Sequence, residues 1–136
     1  MSTESTLGVK EPTSSKLLTM VNPVGPYYES GFEPVRLLTE TTRIRSAPGG
    51  YGLYKMGSNY GPTMLAGKNA KKQNFSQCLW LFDDQIVEIG SSNIFFVIQG
   101  KDGVKELHTP WLDDGLILPG VTRDSVLVLF GFILRN

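Results

Sequence analysis

The sequence predicts a mixed α/β domain in which strands and helices are partly segregated, as in α+β folds. Two observations predict it. Four short strand-like runs, "QCLWLFD", "QIVEIG", "NIFFVIQ" and "VKELHTP", follow one another with turn residues between them. A helical pattern precedes them in "TMLAGKNAKKQN", and another follows in "TRDSVLVLF". Length sets the scale, because 136 residues, 40% of them hydrophobic and 19% charged, suit one modest soluble domain.

Residues 1–15 are rich in Ser and Thr and poor in large apolar side chains, which predicts a flexible lead-in. This segment has no apolar signal core. It carries Glu4 and Glu11 and no arginine, unlike a mitochondrial transit peptide, so the default compartment is the cytoplasm. The domain is expected over residues 16–129. "KLLTMVNPVG" predicts a buried strand that breaks at Pro23 and Gly25. "EPVRLLTETT" predicts a second strand, continued briefly by "TRIRSAP". Asn59 is placed to cap a helix with Pro62 in its first turn, running toward Asn74. The four strands come next, with turns at Asp83-Asp84, Gly90 and Asp102-Gly103. "DDGLILPGVTRDS" then predicts strand, tight Pro119-Gly120 turn, and helix from about Thr122. Residues 130–136 form an atypical tail. "VLVLFGFIL" is apolar all round where an amphipathic helix would show a polar face, so the chain reads as truncated.

Composition excludes several functions. Thirteen basic residues balance thirteen acidic ones, and the densest basic patch, "KNAKK", reads as the solvated side of a helix. Nucleic acid is not an expected partner. No apolar run is long enough to span a membrane. A single cysteine, Cys78, and a single histidine, His108, leave no disulfide framework, zinc quartet or histidine-rich metal site.

The stretch "GGYGLYKMGSNYGPT" sets a lone lysine, Lys55, among four glycines and three tyrosines. It is not a P-loop, since no Gly precedes the lysine and no Ser or Thr follows it. Nor is it a dinucleotide fingerprint, because Lys55 stands where the third glycine belongs. A glycine turn with a snorkelling lysine accounts for the loop alone. Glu88 falls in a strand run just before a small-residue turn, where it would be either a carboxylate at a cleft or a surface position. Val121 and Thr122 open a helix whose free amides suit a phosphate, or which is simply capped. A lysine nucleophile, a carboxylate and an anion-accepting helix start are together what pyridoxal phosphate requires. A free lysine has a pKa near 10.4, too high for a base at neutral pH, and burial beside aromatic rings would lower it.

"YGLYKMGSNYGPT", "LWLFDDQIVEIGSSNIFFV" and "ELHTPWLDDGLILPGVTRDS" resemble the branched-chain amino-acid aminotransferases of fold type IV, and "NPVGPYY" resembles the entry to their large C-terminal domain. The resemblance runs from about Lys16 to Leu129. It implies pyridoxal 5'-phosphate as cofactor and Lys55 as the Schiff-base lysine. It implies Tyr60 at the cofactor's ring oxygen, Glu88 at its pyridine nitrogen, and the Val121 and Thr122 amides at its phosphate. Ser91 takes the place of a small hydroxyl residue on the substrate side. Asn93 is read as turn support, and Tyr27 and Arg45, also at family-like positions, as structural residues. The implied reaction is reversible amino transfer from leucine, isoleucine or valine to 2-oxoglutarate, in a homodimer.

The chain also departs from that family. The smaller N-terminal domain, with a phosphate-binding arginine and contacts across the dimer, has no counterpart here. Neither do the segments beyond the "LPGVTRDS" helix. The expectation is a partial large domain with little turnover of its own. Two alternatives stand beside it: a D-amino-acid aminotransferase or aminodeoxychorismate-lyase-like enzyme with the same lysine–glutamate pair, and a non-catalytic truncated form.

Overall fold

The computed structural model describes residues 3–5, 7–28, 31–112 and 114–133. It divides into two units, Met1–Glu33 and Pro34–Asn136. Among its described residues the first has no strand or helix. Its described contacts are local: Thr3 and Ser14 share a hydroxyl contact of 2.5 Å, and Thr13 donates its amide and hydroxyl to Glu4. Tyr27 and Tyr28 meet edge to face with centroids 5.0 Å apart. The strand predicted in "KLLTMVNPVG" does not form, and Leu17, Leu18, Met20 and Val21 are exposed. An apolar run becomes a strand only when another backbone pairs with it, and Pro23 offers no N–H for pairing.

The second unit holds all the regular structure. Its first strand, β1 (Leu37–Glu40), pairs in parallel with β2 (Gln77–Phe82), which pairs antiparallel with β3 (Gln85–Ile89). The order is β1-β2-β3. The β2–β3 hairpin turns on Asp83 and Asp84, both at positive φ (47° and 60°), the requirement of a two-residue turn matching strand twist. A separate ribbon pairs β4 (Phe96–Gln99) with β5 (Lys105–His108). All four strands expected between residues 77 and 110 are therefore present.

The connection from β1 to β2 contains one turn of helix, α1 (Gly57–Tyr60), and the longer α2 (Met64–Lys72). The sequence expectation of one helix capped by Asn59 is corrected here. Thr63 occupies the position before α2 without a side-chain capping bond, its hydroxyl donating back to the Tyr60 carbonyl, while the Asn59 amide donates to the carbonyls of Tyr51 (2.7 Å) and Tyr54 (2.9 Å). The far end of α2 closes as expected near Asn74, which sits at φ 61°. Its amide donates to Lys71 and the next, from Phe75, to Ala70, which satisfies the last carbonyls. Lys68, Lys71 and Lys72 are exposed, as expected of "KNAKK".

Ala66 and Ala70 turn the other face of α2 onto the sheet, both fully buried. The core joins them to Cys78 and Trp80 of β2, Val87 of β3, and Leu116 and Ile117. Trp80 buries its ring and donates its indole N–H to the Gly90 carbonyl at 2.9 Å, which gives its one polar atom a partner. Two further expectations fail. "TRIRSAP" is bend and turn rather than strand, and residues 114–118 reach the core without a strand. The last helix, α3, spans Val121–Ile133, one residue earlier than expected.

Candidate cofactor site

Glu88 is the next-to-last residue of β3, paired across the hairpin with Trp80, and only 1% exposed. Its partners come from three places. Arg45 sets its Nε 2.8 Å from Oε2. The Leu118 amide donates to Oε1 at 2.7 Å, and Asn93 Nδ2 reaches the same oxygen at 3.4 Å. Burial pushes the Glu88 carboxyl above the usual carboxylate range. The charge of Arg45, the Leu118 amide and the charge of Lys55 all pull it back toward the ionised form. An ionised carboxylate offers about four lone-pair sites. Arg45 Nε stands against Oε2 as an ion pair without hydrogen-bond geometry, and the two hydrogen bonds to Glu88 from described residues both fall on Oε1.

Arg45 is itself held firmly. Its side chain is fully buried, and Nη1 donates to the Leu116 carbonyl at 2.8 Å, an acceptor shared with the Ser46 hydroxyl. Its guanidinium carbon lies 5.7 Å from the centroid of the Tyr60 ring, and Lys55 Nζ lies 4.8 Å from the same centroid. Lys55, Tyr60, Arg45 and Glu88 thus form a continuous chain of contacts. Lys55 is exposed, not buried as the sequence reading expected. The Tyr60 hydroxyl is buried and has no hydrogen-bond partner among the described residues.

A cleft of about 480 Å³ lies between the end of β3 and the start of α3. Glu88, Ser91, Asn93, Gly120, Val121 and Thr122 are among the residues that line it. The first bond of α3 runs from the Asp124 amide to the Gly120 carbonyl at 3.0 Å, so the Val121 and Thr122 amides precede the helical ladder. Arg123 fastens this helix start by donating to the Pro110 carbonyl at 3.0 Å. Of the residues singled out by sequence, the cleft gathers Glu88, Ser91, Val121 and Thr122. Lys55 and Tyr60 lie together outside its walls, joined to Glu88 through Arg45. Tyr27 belongs to the first unit.

Gly52 has a packing role beyond turning the chain. A Cβ on Gly52 would stand 2.4 Å from the Gly115 carbonyl oxygen and 2.7 Å from the Leu116 carbonyl group. Gly52 is needed so that the lysine loop can lie directly on the backbone of residues 115–116. Sequence reasoning took Arg45 as a structural residue and Asn93 as turn support, and did not give their partners, Glu88 and Leu116 for the one and Glu88 and Leu118 for the other.

The family model for amino-transferase class IV matches residues 2–131. The chain belongs to the class IV aminotransferases. This class IV aminotransferase chain is 50% identical to a cytosolic branched-chain-amino-acid aminotransferase of Caenorhabditis elegans, across 93% of its own length and 31% of the relative's. It is 46% identical to the branched-chain-amino-acid aminotransferase of Dictyostelium discoideum, across 95% of its length and 34% of that protein's. The chain therefore spans about a third of the length of the curated relatives it matches. Among solved structures, the branched-chain aminotransferase of Thermoproteus uzoniensis, crystallised with norvaline, superposes with a TM-score of 0.68 at 28% identity. That match covers 82% of this chain and 35% of the other. The fold is that of part of a fold type IV aminotransferase, with the mixed helix and strand content expected.

Proposed function

We propose that this chain carries the pyridoxal phosphate site of a branched-chain amino-acid aminotransferase, serving reversible amino transfer between leucine, isoleucine or valine and 2-oxoglutarate. The observation that carries the reading is Glu88, a buried carboxylate ion-paired with Arg45 that lines one cleft together with Val121 and Thr122 at the start of α3. The unpartnered buried hydroxyl of Tyr60 supports it, since such an atom costs about 1–3 kcal/mol until something binds it. The relatives point the same way, being named branched-chain-amino-acid aminotransferases.

Pyridoxal phosphate, when bound, supplies an electron sink that stabilises negative charge at the amino acid's α-carbon. The residues would divide the rest. Lys55 would hold the cofactor at its aldehyde carbon through its amine, with loss of water, and once displaced by the substrate amine would be the base that takes the α-proton and delivers it to that carbon. Glu88 would accept the N–H of the protonated pyridine in a charge-assisted bond. Its position beside Arg45 favours the anion this requires. Tyr60 would donate to the ring oxygen, and the Val121 and Thr122 amides would receive the phosphate. Ser91 would face the substrate. Compartment stays open between the two kinds that the relatives' names give, cytosolic and mitochondrial, with the cytoplasm our choice. No helix among the described residues is long and apolar enough to cross a membrane.

Borohydride trapping tests the reading. The purified chain is incubated with pyridoxal phosphate, reduced, digested and mapped by mass spectrometry. Stoichiometric labelling confined to Lys55 is expected, absent in Lys55→Ala. Labelling scattered over Lys68, Lys71 and Lys72 would refute it.

A further inference from the structure

We propose that Asn93 is a positioning residue that locks Glu88 and the start of α3 into one rigid unit, fixing the span that a pyridoxal phosphate must bridge. This rests on the cofactor reading above. The Asn93 amide nitrogen faces two acceptors, the Leu118 carbonyl at 2.8 Å and Glu88 Oε1 at 3.4 Å. With two acceptors on that side, the amide can present only its NH₂ there, which settles its orientation. Leu118 is gripped at both of its backbone groups, because its N–H donates to Glu88 Oε1 at 2.7 Å. Only Pro119 and Gly120 separate it from α3. Pro119 is stiff in φ and has no N–H to offer elsewhere.

The other end of the Asn93 amide touches the same turn. A Cβ on Gly120 would fall 2.1 Å from Asn93 Oδ1. Gly120 is not at positive φ, so its lack of a side chain answers to this contact rather than to backbone conformation. Asn93 therefore contacts the residue before the proline and the residue after it, and Glu88 as well. It does more than support its own turn. A ligand that meets Glu88 at one end and the helix start at the other gains from a span set in advance. A ligand lacking the phosphate gains nothing from it.

The test compares equilibrium binding of pyridoxal phosphate and of pyridoxal to the full chain, read by quenching of tryptophan fluorescence. Asn93→Ala is expected to cut the preference for the phosphorylated ligand about tenfold, equivalent to ~1.4 kcal/mol, while pyridoxal binding moves less than about threefold. Gly120→Ala should do the same. The double variant should be no worse than Asn93→Ala, because the atom that opposes the new Cβ is gone. If Asn93→Ala fails to fold, Asn93→Asp keeps the volume and removes the donor, and should show the same selective loss. Equal weakening of both ligands, or a full additional loss from Gly120→Ala in the Asn93→Ala background, would reduce Asn93 to a residue of the fold and overturn the proposal. A folded wild-type chain that takes up neither ligand would instead sink the cofactor reading, and this proposal with it. Uptake by wild type with no selectivity change in the variants would sink the proposal alone.

Discussion

Replacing Arg45 by methionine keeps much of the side-chain volume and takes the cation away from a carboxylate that is 1% exposed. The damage should concentrate on Glu88. The Leu116 carbonyl keeps its bond from the Ser46 hydroxyl, whereas Glu88 Oε2 loses its Arg45 contact at 2.8 Å. Breaking a buried ion pair from one side costs about 3–5 kcal/mol. With a urea slope of roughly 2 kcal/mol per molar, the midpoint should fall by about 2 M. The pH dependence identifies the cause. Burial already holds the Glu88 carboxyl above its unfolded value, and without Arg45 it rises further. The folded state then binds a proton that the unfolded state does not. The penalty is complete above the raised value and is relieved as pH falls through it. Arg45→Met should therefore gain stability on acidification from pH 8 toward pH 5, more steeply than wild type. Tryptophan fluorescence and circular dichroism in urea at several pH values measure this. Arg45→Met/Glu88→Gln, which removes both charges, should be more stable at pH 8 than Arg45→Met. A cost below about 1 kcal/mol at pH 8, or a double variant no better than the single, would refute the reasoning.

Four further outcomes are expected. Gly52→Ala forces a methyl group onto the backbone of Gly115 and Leu116 and should cost about 1–3 kcal/mol or more. Gly57→Ala, with nothing within 4 Å, should be close to neutral in the same urea titration. Glu40 accepts bonds from the Thr42 hydroxyl and amide and from the Arg43 amide, and these, with the Arg43 charge, outweigh its burial and lower its pKa. Glu40→Gln should cost about 1–2 kcal/mol at pH 7, a difference that shrinks as acid protonates the wild-type carboxylate; a gap unchanged by acid would exclude this account. Burial and the charge of Glu40 raise the pKa of the Cys78 thiol, which is 2% exposed. Its reaction with a thiol reagent at pH 8 should be slow in the native chain and track unfolding in urea. Rapid native labelling would contradict the packing of β2.

What could be read from the sequence divides along a physical line. β2, β3, β4 and β5 were legible because each combines β-forming residues with a strong turn signal, and the information lies within a few residues. The run Leu17–Val21 has the same apolar look, but a strand also needs a partner backbone, which local sequence does not reveal. Leu116 and Ile117 are buried without pairing, so their apolarity marked the core correctly and the strand wrongly. Asn59 shows the same limit at one side chain. Its readiness to bond to backbone was legible, and its choice of the Tyr51 and Tyr54 carbonyls over the start of a helix was not. Lys55, Glu88 and the α3 start could each be singled out from their neighbours in sequence. Arg45 was legible as a structural position, but its partners, Glu88 and the Leu116 carbonyl, lie far along the chain and were not.

The parallel pairing of β1 with β2 has a kinetic consequence. Parallel neighbours cannot be joined by a tight turn, so residues 41–76 must leave β1, cross, and return before the two strands align. That crossing segment holds Arg45, Gly52, Lys55 and Tyr60. Its closure entropy is lost before the pairing that rewards it is gained, which makes this the slow step expected of non-local topology. The loop that presents Lys55 lies inside the segment that must close for β1 and β2 to pair. Folding rate and the assembly of this corner of the molecule should rise and fall together.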